Sequence, residues 1–266
     1  RIDSIEDFDS IASSGKIGII LGSENSNHFK TLDDIDRYYQ LGQRISQLTY
    51  NSRNLIGLGA TERSDGGLSD YGVSIVERIN KTGMVIVLSH CGDRTTLDAL
   101  SLSKSPVLIT HSIARKLNHR HPRTKSDEAI CKLAATDGLM GIGFLRVFIR
   151  DKEPNTIEHV LDHFEHVIKL VGIEHVAIDS DIALYGYDYL PRAYVNASKA
   201  NLKPGTYKLR KKDDIEGLNH PNRLYDLCEG LIRRDYKDVD IKLIFGVNAS
   251  PVLSAAWKNN NLIPSN

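Results

Sequence analysis

The chain has 266 residues, 41% of them hydrophobic and 26% charged, a composition ordinary for a soluble fold with a substantial core. Lys+Arg and Asp+Glu are equal at 34 each, so no basic excess points to nucleic acid and no polybasic run to a membrane surface. The length suits one large domain over residues 1–266, since α/β barrels of this size form single units.

Apolar, β-branched runs of strand length recur at 17–21, 45–49, 84–88, 107–110, 139–144, 175–178 and 241–245. They are nearly continuous, as expected of parallel strands covered on both faces. Amphipathic segments at 33–41, 71–81, 93–103, 126–137, 157–171 and 221–234 alternate with them as helices, and Ser126 before Asp127 and Glu128 is a plausible cap. This alternation predicts an α/β protein with a parallel sheet, of the (β/α)8 TIM-barrel type. The candidate strands fall one short of the barrel's eight; the chain opens on Arg1 rather than Met, and the missing strand is expected before Arg1, as an absent first strand, or else near Asn54–Gly59. The stretch 183–218, with Tyr185, Tyr187, Tyr189, Tyr194 and the basic run KLRKKDD, reads as a long loop or insertion.

Cys91, Cys131 and Cys228 are odd in number and widely spaced, which fits neither a disulfide framework nor a paired zinc motif. They read as reduced thiols and favour a cytoplasmic setting. No apolar stretch approaches the roughly 20 residues of a membrane span, and no leader pattern is seen.

In a parallel barrel the functional face lies at the C-terminal ends of the strands. Those ends carry Glu24, Tyr50 with Asn51, His90, His111, and Asp179 with Asp181. Histidines and carboxylates at rigid strand ends suit a divalent metal such as Zn²⁺, on which a bound water loses a proton near neutral pH. A lone strand-end histidine is more often a loop residue; two on consecutive strands, with carboxylates on others, point to a metal.

Other motifs read more plainly. His159, His163 and His166 at helical spacing belong to an outer, surface-facing helix. His119 and His121 flank Arg120, close to Arg123, and belong to one loop with it. The glycines of GLGATERSDGG lack the spacing and lysine of a phosphate loop. Ser112 lacks the GxSxG elbow of a serine nucleophile, and Cys91 is a packing residue.

At these residues the sequence resembles the membrane dipeptidases, peptidase family M19. The matching pieces are IGIILGSEN, YYQLGQRISQLTYNSRN, GLSDYGVSIVERINKTGMVIVLSH, SPVLITHS, HPRTKSDEAI and GVNASPVL, in the family's order over about 17–252. The resemblance implies a metal-dependent hydrolase barrel, a two-zinc site, and hydrolysis of dipeptides by a metal-bound water. It implies that Glu24 bridges the metals, that His90 and His111 hold the second, and that Asp181 lies at the first and passes a proton to the leaving amine. It further implies that Arg123 grips the substrate carboxylate, that Tyr50 takes a substrate-binding position, and that homodimers can form.

Three departures qualify it. The family's His-x-Asp pair, which binds the first metal, has no counterpart at a strand end here, so one zinc rather than two is a possible complement. Tyr50 replaces a histidine, and DIAL (Asp181 to Leu184) replaces DFDG. They keep open an inactive or binding-only relative on the same barrel, and a metal hydrolase acting on a cyclic amide or lactone.

Overall fold

The computed structural model describes residues 1–118, 121–191, 193 and 212–257. His119, Tyr194 and the first part of the basic run lie outside the described residues. Strands β1 (Leu21–Ser23), β2 (Gln43–Gln47), β3 (Val85–Val87), β4 (Leu108–Ser112), β5 (Leu139–Ile142) and β6 (Val176–Ile178) form a six-stranded sheet in chain order. The registered pairs, such as Ile45 with Val85 and Met140 with Val176, are parallel. The predicted α/β class and parallel sheet are therefore observed.

The chain divides into two compact units. The first comprises Arg1–Ile109, Lys132–Leu139 and Ala249–Asn266. Its centre is β3, where Met84, Val85, Ile86, Val87 and Leu88 are all buried, the signature of a strand covered on both faces. Helix α1 (Glu6–Ser14) precedes β1, and α2 (Asp33–Gln40), α3 (Asp70–Thr82) and α4 (Asp93–Leu102) follow β1, β2 and β3. Helix α3 shows why these segments are helical. The Ser69 side chain accepts from the Gly72 N–H at 2.9 Å, Ile75, Val76 and Ile79 form one buried stripe, and Gly83 ends the helix at φ 84°. A Cβ on Gly72 would lie 2.0 Å from the Ile56 carbonyl oxygen, so that close approach requires glycine.

The second unit comprises Thr110–Cys131 and Met140–Asn248. Helix α5 (Asp127–Ala134) is capped by the predicted Ser126, whose hydroxyl accepts from the Ala129 N–H at 3.2 Å. After β5 come the short α6 (Arg146–Ile149) and α7 (Ile157–Val171), then β6, α8 (Arg223–Arg233) and α9 (Asp238–Lys242); α10 (Ala249–Trp257) closes the described chain.

Several expected boundaries move. The strand placed at 17–21 is observed at Leu21–Ser23; Ile17 and Ile19 stand exposed. The strand placed at 241–245 is helical: α9 runs into a π-helical turn, Leu243–Val247. The Asp240 carboxylate accepts from the Lys237 N–H at 2.9 Å and starts a helix there, and a five-residue apolar run carries no periodicity that separates strand from buried helix. The helical run Asp238–Trp257 is also long and apolar enough, by length and composition, to cross a membrane, a stretch the sequence reading passed over. It is broken at Gly246 (φ 146°), and Ile241, Ile244, Leu253, Ala256 and Trp257 are buried within the protein.

The histidine row on α7 is not a surface face. His159 Nδ1 accepts from the Thr156 N–H at 3.1 Å as half of a capping box, and His166 pairs with Asp127 at 2.9 Å. His163 is buried with Val160, Phe164 and Val167, and its Nε2 lies 2.9 Å from the Ile149 carbonyl oxygen. Burial pushes the His163 imidazole down from 6.5 to about 4. In that window the unfolded chain binds a proton that the native state refuses, so stability falls as pH falls through it. Between pH 7 and pH 5 the protein should lose about 2 kcal/mol more than His163→Gln does. Urea unfolding of both at each pH measures this; parallel losses would remove His163 as the cause.

Candidate metal centre

The site begins with one register. Leu108 of β4 pairs with Val87 of β3, and the Leu88 N–H donates to the Leu108 carbonyl at 2.9 Å. His90 lies three residues beyond Val87, in the turn that follows β3, and His111 lies three beyond Leu108, within β4. Both are buried, at 3% and 8% exposure. Glu24 follows β1, and its Oε1 lies 3.1 Å from His90 Nε2. The Gln47 side chain donates to the Glu24 carbonyl at 2.6 Å and fixes the backbone that presents this carboxylate.

Glu24, His90 and His111 each offer one ligand atom, and the three atoms lie within 4.8 Å of one another. Zinc takes imidazole nitrogen and carboxylate oxygen at about 2.0–2.2 Å, so ligand atoms on one ion stand roughly 3–4 Å apart. The donor set suits a divalent cation, and the Glu24–His90 spacing of 3.1 Å falls in that range. Each ring also has its Nδ1 against a side-chain oxygen: His90 at 2.8 Å from Asn51 Oδ1, and His111 at 2.8 Å from Thr110 Oγ1. Asp181, placed with the metal by the family resemblance, is not one of the three.

The remaining expected residues take distinct positions. The Tyr50 ring stacks on the His90 ring, centroids 4.1 Å apart and planes 21° apart, and is 38% exposed. Arg123 is buried; its Nη2 donates to the His111 carbonyl at 3.0 Å and its guanidinium lies 5.2 Å from the Phe148 ring centroid. Its N–H donates to His121 Nδ1 at 3.1 Å, and His121 meets Phe148 edge-on. Asp181 sits at φ 55° after β6, in the left-handed region that an aspartate tolerates better than bulkier residues do.

Sequence reasoning missed Arg223. From the start of α8 its guanidinium donates to the carbonyls of Ile182 (3.2 Å), Ala183 (2.6 Å) and Leu184 (2.6 Å), clamping the loop that carries Asp181. Nothing in HPNRLYD marks that role. Ser112 spends its hydroxyl on the Arg123 carbonyl at 2.9 Å, and buried Cys91 accepts from Thr49 Oγ1 at 3.3 Å.

The fold class is α/β with a parallel sheet, and histidines and a carboxylate lie near its strand ends. The chain matches the family described as membrane dipeptidase (peptidase family M19) over residues 1–202, and it belongs to that family. It is 37% identical over 257 residues to the uncharacterized dipeptidase C965.12 of Schizosaccharomyces pombe, covering 94% of this chain and 54% of that one. The chain spans about half the length of the curated relatives it matches. Its structure resembles an amidohydrolase from Pseudomonas aeruginosa, with TM-score 0.86, 29% identity, and 97% and 78% of the two chains covered. It shares the fold of a metallopeptidase from Rhodobacter sphaeroides liganded with a phosphinate mimic of L-Ala-D-Ala, with TM-score 0.78, 19% identity, and 96% and 68% covered.

If the three donors hold one ion, Glu24→Gln, His90→Ala and His111→Ala should each weaken zinc binding by more than about tenfold, a loss already typical when only a ligand's supporting group is removed. Competition with a chromogenic chelator reads this. Wild-type affinity in all three variants would dissolve the centre.

Proposed function

We propose that the protein carrying this chain hydrolyses the amide bond of a dipeptide, using zinc held in part by Glu24, His90 and His111. The observation that carries the reading is the strand-end group of these residues, in a chain that belongs to a dipeptidase family. The Rhodobacter metallopeptidase, whose ligand mimics a dipeptide, supports the same substrate class.

Zinc bound there supplies a Lewis acid and a water that ionises near neutral pH. The chain supplies the rest. Buried His90 and His111 present nitrogen donors from strands that cannot shift without disturbing the sheet. Glu24 adds the negative charge that favours a cation, and its second carboxylate oxygen suits a second ion. Arg123 binds the substrate's terminal carboxylate, which a guanidinium grips with two parallel hydrogen bonds. The Tyr50 hydroxyl donates to the substrate carbonyl; unlike the histidine it replaces, it brings no positive charge. Asp181 holds a proton and hands it to the amine as the carbon–nitrogen bond breaks, so the amine leaves neutral and the carboxyl half keeps the oxygen of water.

In the complete protein, dipeptide hydrolysis should be abolished by a chelator and restored by Zn²⁺. Glu24→Gln and His111→Ala should each lower kcat/KM by at least about a hundredfold, the scale of losing a group that acts on the reacting centre. Unchanged turnover in either variant refutes the assignment. Arg123→Lys should mainly raise KM for a dipeptide with a free carboxylate and leave an amidated dipeptide little affected. Equal losses on both substrates would remove Arg123 from carboxylate binding.

A further inference from the structure

The residues around His90 do more than surround it. Asn51 is buried, and its side-chain Oδ1 lies 2.8 Å from His90 Nδ1. An amide oxygen only accepts, so this contact requires hydrogen on Nδ1 and leaves the lone pair on Nε2, the nitrogen 3.1 Å from Glu24. Glu24 pulls the other way, since a carboxylate beside Nε2 favours hydrogen there. The tautomer is thus a contest between Asn51 at one ring nitrogen and Glu24 at the other.

The backbone of Asn51 is itself held. Its carbonyl accepts from the Thr61 N–H at 3.0 Å and from Thr61 Oγ1 at 2.8 Å. One residue earlier, the Ala60 N–H donates to the His90 carbonyl at 2.8 Å, and Gly59 bridges Cys91. Residues 59–61 therefore tie the Tyr50–Asn51 peptide and the His90–Cys91 peptide to one stretch of backbone. A Cβ on Gly59 would lie 2.1 Å from the Tyr50 carbonyl oxygen and 2.3 Å from the Asn51 carbonyl carbon, so the tie depends on a glycine. The Tyr50 ring, stacked on His90, sets the imidazole plane that Asn51 then orients.

We propose that Asn51 is the positioning residue of His90: held by the Gly59–Thr61 loop, it fixes the Nδ1–H tautomer and so presents Nε2 to the metal. This rests on the metal reading above. It gives the glycine-containing loop a role in metal affinity without any contact to metal or substrate.

The test is zinc affinity of the 266-residue chain, read beside the melting temperature without metal and the His90 ring nitrogens by long-range ¹H–¹⁵N correlation with zinc bound. Asn51→Leu should weaken zinc by about 10- to 100-fold, the usual cost of losing a ligand's hydrogen-bond partner. Asn51→Asp should restore or exceed wild-type affinity, because a carboxylate accepts the same hydrogen. Gly59→Ala should weaken zinc in the same direction as Asn51→Leu. In the wild type, His90 should be ligated through Nε2 with hydrogen on Nδ1. The proposal is overturned if Asn51→Leu binds zinc as the wild type does, if Asn51→Asp binds as weakly as Asn51→Leu, or if zinc sits on Nδ1. A loss of affinity that only follows a drop in metal-free melting temperature, equal in both Asn51 variants, assigns Asn51 to the fold alone and also overturns it. The controls are wild type and His90→Ala. If these bind zinc equally, or neither binds, the metal reading itself fails and the proposal falls with it; if only His90→Ala loses zinc, the metal reading stands and the Asn51 variants decide.

Discussion

The candidate site depends on the parallel pairing of Val87 with Leu108. Parallel strands keep equal steps in the same direction, so a residue three positions past one partner lies level with the residue three past the other. His90 follows Val87 by three residues, in the turn after β3, and His111 follows Leu108 by three, within β4. A slip of one residue in β4 against β3 would move His111 to the other face of the sheet. The burial of Met84 to Leu88 on both faces resists such a slip, because moving the strand would empty packed positions on two sides at once. The chemistry of the rim and the stability of the interior are in this sense one constraint.

Around that pair, side-chain amides hold two of the other groups and a guanidinium holds the third. Gln47 holds the Glu24 backbone, Asn51 meets His90, and Arg223 gathers three carbonyls of the Asp181 loop. Neutral partners suit a cation site. The two amides orient their groups without cancelling the negative charge that Glu24 contributes.

Much of this could be read from the chain alone, and the parts that could not share a cause. Continuous β-branched runs ending in His90 and His111 announce buried strands with histidines at their tips, and the family resemblance names Glu24, Arg123 and Asp181 beside them. Most of what fails depends on a distant partner, the run at 241–245 excepted. The run at 241–245 is apolar enough for either element, and the Asp240 cap decides for helix. His163 lies on the helical row of His159 and His166, but which part of that row is buried is set by what packs on α7. Asn51 is visible as a strand-end residue, yet its role needs His90 across 39 positions. Arg223 is 41 positions from Ile182 and belongs to no motif.

The Arg223 clamp has a consequence in time. A chain made from its amino terminus completes Glu24, His90 and His111 well before residue 223 exists, so the strand ends can settle while the loop from Ile182 to Leu184 still lacks the guanidinium that holds it. The loop that carries Asp181 is then the last of these parts to set, and its timing belongs to α8. Nascent chains arrested before residue 223 should retain the protection of β3 and β4 while the backbone around Asp181 stays open to proteolysis.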